Sequence, residues 1–217
     1  MATALKADPF MGFPAGSLVT AADAFFAGDV HNRGHAPAAV FRPADTGQLA
    51  AGLKAAHAAG LAVVPRGGGM SYTRGYLPGA AGAILVDLSA MDRVLEIDPV
   101  DMLVTVEAGC TWASLHAALK PHGLRTPVWG TLSGVRATVG GGMSQNGMFW
   151  GAGNGTIAAS AVRMRVVLAD GTFLDTGSDF LRPFGPDLTG LFAAEAGAFG
   201  IKAEVTLPLV PEAEALA

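Results

Sequence analysis

Apolar residues fall along this chain in short runs separated by glycine, proline or aspartate. Residues 38–41 read as a short strand that stops at Pro43. Asp45 then opens a helix, with Gln48 as its capping-box partner and Leu49, Leu53 and Ala56 as its apolar stripe. Gly60 stands just past its end, where a left-handed residue closes a helix. Residues 61–65 form a buried strand. Strand, helix and strand make a βαβ unit with a right-handed crossover between parallel strands. Residues 83–87 add a third strand to that small lobe.

The pattern then changes. Residues 93–98 and 102–107 are predicted as antiparallel strands turning at 98–101. Thr111 caps a helix with Trp112, Leu115, Ala118 and Leu119 on its buried side, and Gly123 closes it. Residues 159–168 read as one long strand, which turns at 169–172 into a hairpin partner over 173–175. Asp187 starts a short helix over 188–195, residues 200–209 form a final strand, and Pro211 ends the ordered region. Upstream, one helix is expected around 21–27. The fold class is α+β, divided into an N-terminal segment (1–35), a first lobe (36–88), a second lobe (89–211) and a tail (212–217).

Composition narrows the function classes. Hydrophobic residues make up 51% and charged residues 15%, the balance of a packed globular protein. A net charge of -4 without a basic stripe argues against nucleic acid. The single cysteine, Cys110, excludes an internal disulfide and fits a reducing compartment. The opening residues hold no continuous apolar run, and no run reaches the ~18 residues of a membrane helix. A soluble, cytoplasmic protein is the expectation.

Two glycine clusters carry the candidate chemistry. They are Pro65-Arg66-Gly67-Gly68-Gly69-Met70-Ser71 and Thr138-Val139-Gly140-Gly141-Gly142, each after an apolar, strand-like approach. Glycine runs are entropically costly, so they belong where backbone must turn tightly or lie against a ligand. Hydroxyls at Ser71, Thr73, Thr138 and Ser144 accompany them. Successive bare amides with hydroxyl donors hold phosphate oxygens; two tight turns are the alternative reading. The glycine clusters do not meet the register of a Rossmann fingerprint, because Tyr72 and Thr156 stand where a third glycine belongs, which argues against a nicotinamide Rossmann domain. No Walker lysine motif is present either.

In order and spacing, these pieces resemble the FAD-binding domain of the vanillyl-alcohol oxidase/p-cresol methylhydroxylase (PCMH-type) flavoproteins. Also part of the resemblance are Val86-Asp87-Leu88, Val106-Glu107-Ala108-Gly109, Val167-Leu168-Ala169-Asp170-Gly171, Asp187-Leu188 and Gly197-Ala198-Phe199-Gly200-Ile201. It implies two α+β lobes with FAD clamped between them. By the same resemblance, the loop from Pro65 through Arg66, Gly67, Gly68, Gly69, Met70 and Ser71, with Gly75, wraps the pyrophosphate. Gly109 and Thr111 approach the cofactor from the next helix. Thr138, Val139, Gly140, Gly141, Gly142, Ser144, Asn146 and Gly147 line the pyrophosphate and ribityl side. Gly151 and Gly155 pass close to the isoalloxazine, and Gly200 and Ile201 close on the adenine or ribityl portion. For Gly109, Gly151 and Gly155, plain turn chemistry is an equal reading.

Relatives with covalently linked flavin carry His where Met70 stands and Cys where Arg136 stands, so non-covalent FAD is expected. Cys110 is read as a small buried filler. The implied activity is that of a domain or subunit of an FAD-dependent oxidoreductase. It takes a hydride from a carbon bearing OH or NH in a small-molecule substrate and passes electrons to an acceptor. The family's second, cap domain has no counterpart in these residues, which leaves three readings: a piece of a longer chain, one subunit of a split enzyme, or a cofactor-carrying module. An uncovered apolar cleft would favour association with a cap-domain partner chain or a second copy. The alternatives are a non-catalytic flavin-binding module and an NAD(P)H-dependent reductase similar to the UDP-N-acetylenolpyruvoylglucosamine reductases. The five histidines show no metal-ligand spacing, and no metal is expected. Arg136 is read as either a charge beside the flavin or a surface arginine, and Trp129, Phe149 and Trp150 as either a wall by the ring or core. No catalytic base is assigned.

Overall fold

The computed structural model describes residues 8–19, 24–130, 133–147, 150–178, 182 and 185–212. Its first sheet is built from β1 (Leu18–Val19), β2 (Ala39–Phe41), β3 (Val63–Arg66) and β4 (Ile84–Asp87), in the order β1-β2-β4-β3. β4 lies between β2 and β3, parallel to both, while β1 runs antiparallel along the edge. The βαβ expectation holds, with α1 (Thr46–Ala58) as the crossover. Asp45 caps α1 by accepting the Gln48 amide at 2.7 Å, and Gly60 takes φ +65°. Gln48 returns a bond to the Ala44 amide at 3.2 Å, one residue before the position a capping box specifies. β1 comes from the segment that the sequence left outside the first lobe. Two residues are too short for a periodicity to show.

The second sheet contains β5 (Val94–Asp98), β6 (Leu103–Glu107), β8 (Arg163–Val167), β9 (Phe173–Thr176) and β10 (Ile201–Pro208). All neighbours are antiparallel, in the order β5-β6-β10-β8-β9. α2 (Trp112–Leu119) and α3 (Val139–Gln145) pack on one face of it, and β7 (Leu124–Arg125) pairs with β11 (Val210–Pro211) at the periphery.

Four expectations of element type or length need correction. The long strand over 159–168 is shorter, because Thr156 caps a one-turn helix α4 (Ile157–Ser160) that consumes its first residues. The helix after Asp187 is one turn, α5 (Leu188–Leu191), and then gives way to a strap in which Ala194 and Ala196 are left-handed. The second glycine cluster is no loop after a strand but the body of α3. Of the helix expected around 21–27, the described residues form a single 3-10 turn, Ala24–Ala27.

A β-bulge in β10 between Lys202 and Glu204 joins the two lobes. It lets Ile201 and Ala203 enter the core under the first sheet, with Phe41, Leu53 and Val86, while Val205 and Leu207 enter the core of Trp112, Leu115, Met143 and Met164. One strand therefore serves both cores.

Candidate functional site

β3 delivers the first glycine loop at the carboxyl end of a parallel sheet, the usual place for a ligand crevice in such sheets. Among the described residues, the backbone amides of residues 67–71 donate to no protein group. Gly69 is left-handed at φ +68°, and its carbonyl is fixed by the Tyr76 hydroxyl at 2.8 Å. The loop rests directly on the approach to α3. A Cβ on Gly68 would collide with the Arg136 carbonyl, and one on Gly67 with the Thr138 hydroxyl. Further along, the Thr73 hydroxyl donates to Gln145 at 3.0 Å, tying the loop to the end of α3.

Arg66 stands beneath this loop, 6% exposed, with its guanidinium 4.6, 5.2 and 5.4 Å from the ring centres of Phe25, Phe26 and Tyr76. Its Nε is buried without a hydrogen-bond partner. Burial pulls the Arg66 pKa down, and the charge of Asp87 works against that. Asp87 is itself engaged by Arg42 at 2.8 Å and by the Ser89 amide. A buried cation over aromatic rings with an unfilled donor is a standing demand for an anion.

The far end of the loop is held by Asp29. Its carboxylate accepts the amides of Asn32, His31 and Arg74 and the Asn32 side chain. Desolvation opposes its ionisation, yet those donors prevail and hold the pKa at about 2.

α3 works differently from the first loop. Thr138 caps it, accepting the Gly141 amide at 3.2 Å. The Val139 and Gly140 amides donate to Cys110 and Ala108 carbonyls at 2.8 and 2.9 Å, and the Gly142 amide to Thr138 at 2.9 Å. Its amides are thus committed to the fold, so only the first cluster presents bare ones. The α3 glycines supply closeness instead. A Cβ on Gly140 would lie 2.6 Å from Ala108 Cβ, and one on Gly142 3.2 Å from the Trp112 ring.

The cleft between these parts is lined by Pro65, Arg66, Gly67, Gly68, Gly69, Met70, Ser71 and Gly75 on one side. Thr138, Gly140, Gly141, Gly142, Ser144 and Gly147 form the other, with Gly200 and Ile201 from the start of β10. Six residues singled out in the sequence lie elsewhere. Gly109 packs on the Leu88 and Met91 carbonyls, Thr111 caps α2, and Val139 is buried in the larger core. Asn146 is the left-handed cap of α3, and Gly155 precedes the cap of α4. Gly151 lines a separate apolar pocket with His116, Trp129 and Trp150. Phe149 lies outside the described residues.

The cleft also includes Tyr72, Thr73, Tyr76, Leu88, Gly130, Ala137, Gln145, Ala196, Gly197 and Lys202. Gln145 has a sequence signal, one helical turn beyond Gly141, but only once the glycine cluster is read as helix. Met70 is half-buried against the larger core, and Arg136 is exposed with its guanidinium 6.0 Å from the Phe25 ring centre. Cys110 is buried, and desolvation pushes its thiol up to about 11. No cluster of metal-ligating side chains occurs among the described residues, nor any helix long and apolar enough to cross a membrane.

Comparison with known proteins agrees with this geometry. The family model described as FAD binding domain matches residues 37–177. The chain is 34% identical over 190 residues to D-lactate dehydrogenase (cytochrome) 1, mitochondrial, of Saccharomyces cerevisiae, covering 83% of this chain and 31% of that protein. It is 31% identical over 180 residues to glycolate oxidase subunit GlcD of Bacillus subtilis, covering 82% of this chain and 38% of that one. It therefore spans about a third of the length of these relatives. In structure it superimposes on p-cresol methylhydroxylase with a TM-score of 0.74 at 22% identity, covering 90% of this chain and 41% of that one. Against 4-ethylphenol oxidase from Gulosibacter chungangensis the TM-score is 0.71 at 26% identity, covering 88% and 38%.

Proposed function

This chain belongs to the FAD-binding domain family of FAD-linked oxidoreductases, and on that premise we propose that it holds FAD non-covalently as the cofactor-bearing part of a 2-hydroxy-acid oxidoreductase. One observation carries the reading: the amides of residues 67–71, without protein partners among the described residues, border a cleft that the largely buried cation Arg66 also lines. Such a run of donors suits the oxygens of a diphosphate. In this reading Arg66 balances the diphosphate charge, the Tyr76 hydroxyl and Asp29 keep the loop in place, and the α3 glycines let the cofactor lie against backbone. Leu88 and Ile201 exclude water from the same cleft.

When bound, FAD supplies the hydride-accepting chemistry, while protein groups orient it and set its surroundings. Neither the Met70 thioether nor the Arg136 guanidinium can form the histidyl or cysteinyl link known in relatives, which supports non-covalent attachment. The names of the yeast and Bacillus relatives point to lactate and glycolate as the first substrates to try, in the assembled enzyme with any partner it requires.

Purified apo-chain titrated with FAD should quench flavin fluorescence at one equivalent, and acid precipitation should release all yellow colour to the supernatant. Arg66→Met should weaken binding about 10- to 100-fold, the worth of ~1.5–3 kcal/mol for hydrogen bonds to a charged group. A chain that stays colourless in excess FAD would overturn the reading. Colour retained in the acid pellet would overturn non-covalent attachment alone.

A further inference from the structure

Where β10 begins, Lys202 is 3% exposed and forms an ion pair with Glu195, 6% exposed. The Lys202 ammonium also donates to the Phe192 carbonyl at 2.9 Å, and the second Glu195 oxygen accepts the Phe199 amide at 2.9 Å. Both ends of the strap over 192–199 are thereby fastened to one strand. Between those fastenings the backbone is unusual for its residues: Ala194, Ala196 and Gly197 have φ of +60°, +56° and +88°. Alanine rarely takes the left-handed region without surroundings that enforce it. The strap's inner face then meets the cleft. Ala194 and Ala196 amides donate to the Met143 and Ser144 carbonyls of α3 at 2.9 and 3.2 Å, and Gly197 sits against the ring of Pro65.

We propose that the buried Lys202–Glu195 pair is a positioning clasp, which holds Ala196 and Gly197 as the wall joining the first glycine loop to α3, and so sets how tightly the cofactor is held. The proposal rests on the FAD reading above, but its first consequence is independent of cofactor. A buried ion pair is weak evidence for a stabilising role, because replacing both partners with apolar groups is often neutral. Here the pair instead spends its binding on a local conformation that the sequence alone disfavours.

The test compares wild type with Lys202→Met, Glu195→Gln and the double variant, using Leu119→Ala, a core truncation in α2, as a stability control. In the apo-protein, amide hydrogen exchange at Ala194 and Ala196 should accelerate at least tenfold in the clasp variants and not in the control. FAD affinity, followed by flavin fluorescence, should fall at least tenfold in the same variants. Ala194→Gly placed in the Lys202→Met background should recover threefold or more, since glycine adopts the left-handed region readily. If Lys202→Met fails to fold, the double variant, which leaves no buried charge unpaired, gives the same readings. Exchange and affinity within twofold of wild type would overturn the clasp. Accelerated exchange in a chain that never binds FAD would leave the clasp standing and overturn the FAD reading.

Discussion

Gly68 is the position where a single methyl group does the most damage. Its Cβ would enter the Arg136 carbonyl, a backbone atom fixed by the bond from the Arg136 amide to Ser133. Overpacking typically costs ~1–3 kcal/mol, and a clash with backbone belongs at the upper end. Gly68→Ala should therefore lower the unfolding free energy by about 3 kcal/mol, read as a lower urea midpoint at unchanged slope, and abolish FAD binding. Asp29 offers a second test at this scale. Its carboxyl sits at about 2 when folded, below the ordinary 3.8, so its contribution is complete above 3.8 and disappears as pH falls toward 2. Wild type should lose stability more steeply than Asp29→Asn across that window, as read by tryptophan fluorescence during acid titration.

The α3 helix separates two jobs that glycine performs. Gly140→Ala would gain about 1 kcal/mol in helix propensity but would press on Ala108, 2.6 Å from its Cβ and 2.8 Å from its carbonyl. Net destabilisation is expected. Gly141→Ala meets only the Thr138 hydroxyl, at 3.0 Å, so the fold should tolerate it while the cleft loses room. Its melting temperature should match or exceed wild type, with FAD affinity reduced at least tenfold. This helix is also where sequence reading failed most. Three successive glycines argue against a helix by propensity, and only the Thr138 cap with the carbonyls of Ala108 and Cys110 overrules them. Elements with their own punctuation were legible: Asp45 and Gly60 bracket α1, and Asp98 accepts the amides of Val100 and Asp101 to turn β5 into β6. Cleft residues inside the glycine runs were legible for the same reason. Gly130 and Lys202 were not, because both stand outside the glycine runs, and Tyr76, next to Gly75, was not because an aromatic after a glycine loop carries no signal of its own.

At the scale of the molecule, the cleft draws its walls from both sheets, with β3 on one side and β10 on the other. A ligand there must stabilise the whole chain. At a hundred times its dissociation constant FAD should add ~2.7 kcal/mol, raising the melting temperature by roughly 5–11 °C for a domain of this size. Calorimetry should show one transition in both states. Two separate transitions, with only one moved by FAD, would mean that the lobes melt independently.

β10 occupies the centre of its sheet, yet every other strand of that sheet precedes it in the chain. On the ribosome, β6 and β8 therefore emerge before the strand that must come between them, with their apolar faces still wet. The nascent chain can neither bury its larger core nor grip a nucleotide until translation has passed Pro208. Flavin loading in this sense waits on the strand that closes the larger core and one wall of the cleft together.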